Sequence, residues 1–565
     1  MGMTARAHEL VAELEKLRVR FGTAAARRKL ALLASLGAVR SPDAQVLLRL
    51  HEALLYHRAF PDSRAVLVAA EDGLAAFAAR LEALRRRDPE AAAALDGSGL
   101  AATSVSAYWS LPIVRWLVAS ASAAVALNHD EEGVDERLTE VLPRLVLSAE
   151  AEALEDGYLD PWAWLKRTSG RGRSSDVARL LSLLDAQETS ADGRDGLWKA
   201  WNLPLDWELG TSRYSRTLAR APQGELALQR RPFERAYPDL QAEVARGAPT
   251  VARLSAAEAA RWIDLGRAAL ATRLREVYSL NHASPDDVWL AGAGEGLRIA
   301  LYGVTPARRH ALRTFYGYLL VMNDVPIGYG DAILVCDWGE LNFHVFDTFR
   351  GVASAQLYAA VVRLFRHHLG PRYLHLNPYQ FGRHSQEAID SGAFWFYEKL
   401  GFRPREAVAR RLWRAERRRL DAGRGYRTGP ATLKRLARSP MALALDRPEG
   451  PLEALYGGFH PLRVGLALTR AVESRHGGDR REATRKAGKR VAALLGGHLK
   501  SDAGDALARF APILDLVPDL DDWTRDERRA LRDLVDAKAA PSERDFLTLA
   551  RGHERFRAAI VALGS

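Results

Sequence analysis

The sequence predicts an α+β fold in which a strand-rich middle is embedded between an N-terminal and a C-terminal α-helical region. Three observations predict it. Apolar residues recur at three- and four-residue spacing from His8 to about Leu165; short strand-like runs separated by turn residues take over from Val288 to Leu376; helical spacing returns beyond Arg427.

The N-terminal runs HELVAELEKLRVRF, AARRKLALLASL, SPDAQVLLRLHEALLYHRAF and GLAAFAARLEALRRR each place an apolar stripe on one helical face, and Ser41-Pro42-Asp43 supplies an N-cap with proline in the first turn. SLPIVRWLVASASAAVAL, the longest apolar stretch, is interrupted by Pro112 and Arg115 and reads as a buried helix rather than a membrane span. Polar, glycine-containing breaks at Arg167–Asp176 and Glu188–Gly196 put a domain boundary near 170. Trp198, Trp201, Pro204 and Trp207 then indicate a chain crossing an apolar surface within a connecting region, 171–254. Ser255–Leu280 has helical spacing. After it come strand-like runs at Val288–Leu290 and Leu297–Val304 around a hairpin turn in AGAGEG, then Arg313–Val321 and Pro326–Val335 joined by Asn323-Asp324, then Glu340–Phe346. Ala353–Leu369 is helical, Arg372–Leu376 a strand, and Gly392–Leu400 a helix stopped by Gly401. Capping signals occur at Thr524 with Glu527 and at Ser542 with Asp545.

A chain of 565 residues, 48% hydrophobic and 27% charged, is long enough for two to four packed domains and too apolar for general disorder. Its one cysteine, Cys336, excludes an intrachain disulfide or a cysteine-rich zinc site. The charged N-terminus has no apolar signal segment, so the expected location is cytoplasmic with no membrane partner. Of the net charge of +11, the segment Arg403–Arg438 carries +10, with thirteen Lys or Arg against Glu406, Glu416 and Asp421. Two readings stay open for it: a solvated, arginine-rich helix, or a patch for an anionic partner such as RNA, an acidic protein or cofactor phosphates.

Several motifs carry no chemistry. His51-Glu52 opens like a zinc-protease helix, but Leu55 stands where the second histidine belongs. AGAGEG precedes a strand, so no helix N-terminus awaits a phosphate. In FDTFRGVASAQLYAAVVRLF, by contrast, a strand, a turn and a helix follow one another. Arg350, Gly351, Val352, Ala353, Ser354 and Ala355 lie where backbone N–H groups converge at a helix start and the helix dipole adds attraction for an anion the size of a pyrophosphate.

Together with strand RYLHL and the run SGAFWFYEKLGF, this segment resembles the cofactor-binding half of the GNAT superfamily of acyl-CoA-dependent N-acyltransferases over about Val288–Arg405. The loop pattern departs from the family at Ala353, where glycine is preferred, and Asn377–Ser391 forms a longer connection than usual beside the expected acceptor site. The resemblance implies a mixed, mostly antiparallel GNAT-like sheet within a domain at 255–410, followed by a basic and then helical region at 411–565. It implies acetyl-CoA or another acyl-CoA as donor, lying between two splayed parallel strands, with Phe346, Arg350, Gly351, Val352, Ala353, Ser354, Ala355 and Asn377 as its contacts. It also implies Tyr397 as proton donor to the leaving thiolate. It implies His375 as the base, with His344 and Glu340 as alternatives, or a water relay in place of a base. The acceptor is an amine on a small molecule or a protein. Two other readings remain: a catalytically degenerate acyl-CoA-binding or protein-interaction module, and a nucleic-acid-associated factor using Arg403–Arg438.

Overall fold

The computed structural model describes residues 3–39, 43–120, 124–172, 175–351, 353–423, 425–447, 449–496 and 503–565. It is an α+β protein whose chain divides into two compact units: Met1–Pro232 with Arg261–Asn281 and Val321–Ile327, and Phe233–Ala260 with His282–Leu320 and Gly328–Ser565.

The first unit begins with the expected helices, among them Met3–Lys16, Thr23–Gly37, Ala44–Ala59, Arg64–Ala75 and Phe77–Arg87. Asp43 caps Ala44–Ala59 by accepting from the Val46 N–H at 2.8 Å, while Ser41 and Pro42 lie outside the described residues. The boundary expected near 170 falls inside this unit. Three four-residue strands, β1 (Ser104–Ala107), β2 (Ala124–Leu127) and β3 (Leu205–Glu208), form a sheet in which β3 lies antiparallel between the other two, so chain on either side of residue 170 shares one ladder. The long apolar stretch therefore splits into the helix Leu111–Ala119 and strand β2. Trp109, Trp116, Trp164, Trp198, Trp201 and Trp207 are buried in one core around it, so the tryptophan-rich segment is core and not connection.

The second unit is built on a sheet of ten strands: β4 (Thr250–Arg253), β5 (Ala283–Gly294), β6 (Leu297–Val304), β7 (Thr314–Met322), β8 (Val325–Val335), β9 (Trp338–Leu341), β10 (His344–Val345), β11 (Tyr373–Leu376), β12 (Arg403–Pro404) and β13 (Met441–Ala444). The order is β12-β13-β11-β9-β8-β7-β6-β5-β4, with β10 pairing to β8 beside it. Turn chemistry sets much of this order. Glu295 and Gly296 (φ 50° and 78°) close the β5–β6 hairpin, and Asn323 and Asp324 (φ 46° and 67°) link β7 to β8. Two consecutive positive φ angles match the right-handed twist of the strands they join. Cys336 lies in the β8–β9 connection at φ 51° rather than in a strand, and burial pushes its thiol up to about 12.

Strand β13 breaks the helical run expected beyond Arg427. Its sequence, MALA, has no alternation to announce it, yet all four residues are buried between β11 and β12. Beyond it, helices from Pro461–His476 to Glu554–Gly564 pack a core around Tyr456, Phe459, Phe510, Trp523, Phe546 and Phe556. The Thr524–Glu527 capping box is formed. At Ser542 the helix instead starts at Arg544, whose N–H is accepted by the Ser542 hydroxyl at 3.3 Å. Among the described residues no helix is long and apolar enough to cross a membrane.

Candidate functional site

One pairing pattern positions the expected site. β9 and β11 are a parallel pair, in register Tyr373–Trp338, Leu374–Gly339 and His375–Glu340, and the ladder ends on that last rung. Beyond it the first strand continues as β10, which pairs with β8 through His344–Tyr329 and Val345–Gly328, while β11 continues against β13. Gly330 admits this break, because a Cβ there would collide with the Asn342 carbonyl oxygen.

On the terminal rung, His375 Nδ1 and Glu340 Oε2 are 3.2 Å apart and both residues are buried. Opposed residues on neighbouring strands project to the same face, which is what brings the two together. Trp338 packs beside the imidazole at 5.3 Å between ring centres, and His460 lies 5.6 Å from it. His460 comes from the turn before helix Pro461–His476 and uses Nδ1 to accept the Leu462 N–H. Burial first, then the positive charge His375 can carry, holds His460 below its ordinary value of 6.5. Asp331 is raised by burial and by the Glu340 charge, although Asn342 Nδ2 donates to it at 2.6 Å. Arg313 is lowered by burial, partly offset by Glu340. The result is a buried acid–imidazole pair with a second imidazole against it. His344 stands apart on β10, exposed, with its ring stacked on Tyr329 at 5.0 Å.

Tyr397 belongs to a different cluster, sharing no hydrogen bond or ring contact with Glu340 or His375 among the described residues. It projects from helix Ala393–Lys399 against Tyr358 and Phe402, and its hydroxyl donates to Gln380 Oε1 at 3.1 Å. Burial raises its pKa, so the phenol stays protonated and can give up a proton but not take one. Gln380 comes from the long connection after β11, which forms the short helices Pro378–Phe381 and Gln386–Asp390. Its Nε2 is buried without an acceptor among the described residues, as is the hydroxyl of Tyr358. Two unpaired donors thus border the phenol, an arrangement that ordinary cores avoid. Glu398, on the same helix as Tyr397, is buried. Trp413 donates to it at 3.1 Å, and Arg417 and Arg403 approach at 3.5 and 3.8 Å, because the helix Ala407–Ala422 covers that face.

The turn opening helix Ser354–His368 has Gly351 at φ 79° and Ala353 at φ 47°, ψ 26°, with Val352 outside the described residues. Among the described residues the first helical bond runs from the Leu357 N–H to the Ala353 carbonyl, and the N–H groups of Ser354, Ala355 and Gln356 precede it. Nothing lies within 4 Å of a Cβ at Gly351, so glycine is required there by backbone angle alone. Arg350 does not stand free for an anion: it pairs with Asp347 at 2.9 Å and with Glu387. Phe346 is buried against Tyr329, and the Asn377 carboxamide oxygen accepts the Tyr379 N–H at 3.1 Å to cap the following turn.

No family model, curated protein or solved structure matches this chain. Sequence reasoning selected Glu340, His375 and Tyr397 but missed Asp331, His460, Tyr358 and Gln380. Tyr358 lies on a recognisable helical stripe; His460 carries no local signal, since it reaches His375 only through the packing of a segment 85 residues away. Among the described residues no group of three or more His, Cys, Asp or Glu is placed to hold a metal ion.

Proposed function

We propose that the second unit transfers an acyl group from acyl-CoA to an amine by direct attack, the reading its resemblance to the GNAT superfamily implies. The observation that carries it is the end of the β9–β11 ladder at Glu340 and His375, where the two parallel strands stop pairing with each other and each turns to another neighbour, the place where an extended carrier arm would pair. A proton acceptor sits on the last rung. The N–H groups of Ser354, Ala355 and Gln356 suit the carrier's phosphates; Arg350, neutralised by Asp347 and Glu387, contributes little charge there. The orphan donors of Tyr358 and Gln380 suit carbonyl acceptors of a bound thioester or its amide-bearing arm.

In this reading the amine nitrogen attacks the thioester carbonyl, its proton passes to the His375–Glu340 pair, the carbon–sulfur bond breaks, and the Tyr397 phenol protonates the departing thiolate. Direct attack of this kind requires no covalent enzyme intermediate. Isothermal titration with acetyl-CoA tests the carrier site, and thiol release with pooled amines tests turnover. Heat without thiol release leaves a degenerate carrier-binding module, a reading favoured by the engagement of Tyr397 with Gln380; absence of heat removes both.

A further inference from the structure

We infer that the arginine-rich segment between β12 and β13, with the connection after β11, forms a binding surface for single-stranded nucleic acid. Ion pairing within the segment is uneven, and the unevenness is informative. Arg403 and Arg417 are drawn to Glu398, Arg419 to the buried Glu416, and Arg417 also to Asp421. Arg410, Arg414 and Arg418 on helix Ala407–Ala422 are exposed and have no ion-pair partner among the described residues. Spaced four residues apart, they lie on one helical face, a cationic row about 12 Å long. A merely solvated helix would distribute its acids among its bases; here Glu398 and Glu416 are buried, Asp421 is taken up by Arg417, and the row Arg410, Arg414 and Arg418 is left without an ion pair among the described residues.

A second observation points to the same ligand. Helix Pro430–Leu436 packs against both Ala407–Ala422 and Gln386–Asp390, and beside it opens a concavity of about 680 Å³. Arg383, His384, Lys434 and Arg438 line it with no carboxylate among the lining residues. Arg383, Lys434 and Arg438 are exposed and likewise without an ion-pair partner among the described residues. His384 is held at φ 63°, a conformation costly for a non-glycine residue, and its ring lies 5.3 Å from that of Tyr379, which is 60% exposed. Cations that neutralise phosphates beside solvent-exposed rings on which bases stack are the two elements of single-strand recognition; an acidic protein would need only the first.

The test is fluorescence anisotropy of a labelled twenty-nucleotide oligouridine with the full chain between 50 and 200 mM salt. We expect saturable binding whose log–log salt slope becomes shallower by about 2 in R410Q/R414Q/R418Q, since each phosphate of a single strand that the protein neutralises adds about 0.7 to the slope. Tyr379→Ala should weaken binding roughly five- to a hundredfold with the slope unchanged. All four positions are exposed, and circular dichroism checks that the variants fold. Equal affinity for a duplex of the same length, displacement by polyglutamate as effective as by oligonucleotide, or an unchanged slope in the triple variant would overturn the inference.

Discussion

Replacing Tyr397 by phenylalanine removes one oxygen and separates its hydrogen bond to Gln380 from the proton-donor role proposed for it. The Tyr397 hydroxyl is the sole donor to Gln380 Oε1 among the described residues, and the amide's Nε2 already lacks an acceptor, so Tyr397→Phe leaves a buried carboxamide with neither end satisfied. Losing a buried partner in this way costs about 1–3 kcal/mol of stability. Removing both partners with apolar groups of similar shape is close to neutral, so the double variant Gln380→Leu/Tyr397→Phe should recover most of that loss in a urea titration. Activity behaves differently. If the phenol protonates the departing thiolate, both variants lose turnover by about 10²-fold or more, while acetyl-CoA affinity in the single variant stays nearly unchanged. The paired assays are urea denaturation followed by tryptophan fluorescence and a thiol-release measurement on folded protein. Wild-type turnover in folded Tyr397→Phe would refute the donor role. A double variant as unstable as the single one would refute the account of the Gln380 contact.

Two further outcomes follow from backbone strain and from burial. Ala353 occupies the left-handed region at a cost of about 1–2 kcal/mol, and glycine returns about 0.5–1 of that as chain entropy, so Ala353→Gly should stabilise by about 0.5 kcal/mol in urea and tighten acetyl-CoA binding; a loss of stability would refute the strain argument. His368, buried beside Trp289 and near the Arg544 charge, is lowered from 6.5 to about 4, chiefly by burial. The unfolded chain therefore takes up the proton first. The contribution is complete above pH 6.5 and is lost as pH falls toward 4, by roughly 3 kcal/mol in all. His368→Phe, which keeps the ring against Trp289, should flatten the pH dependence of stability by up to one proton in that window; an unchanged slope would exclude His368 as the titrating group.

Local chemistry wrote a good part of this molecule into its sequence. The hairpin turns at Glu295-Gly296 and Asn323-Asp324, the strands they join, the helix Ser354–His368 and the Thr524–Glu527 cap all rest on residues close together in the chain, where φ preference and periodicity act directly. The pairing of Glu340 with His375 was half legible: each strand could be found, but not the register that sets them on one rung. What only tertiary structure decided shares one physical cause, contact between residues far apart in sequence. Four-residue strands such as β3 and β13 are too short for their pattern to announce a strand and exist because partners about 40 to 105 residues away complete their ladders. Glu398 is buried because Trp413 and Arg417 cover it, and His460 faces His375 because a distant turn is packed there. Periodicity names which face of an element is apolar; only closure of the chain determines what that face meets.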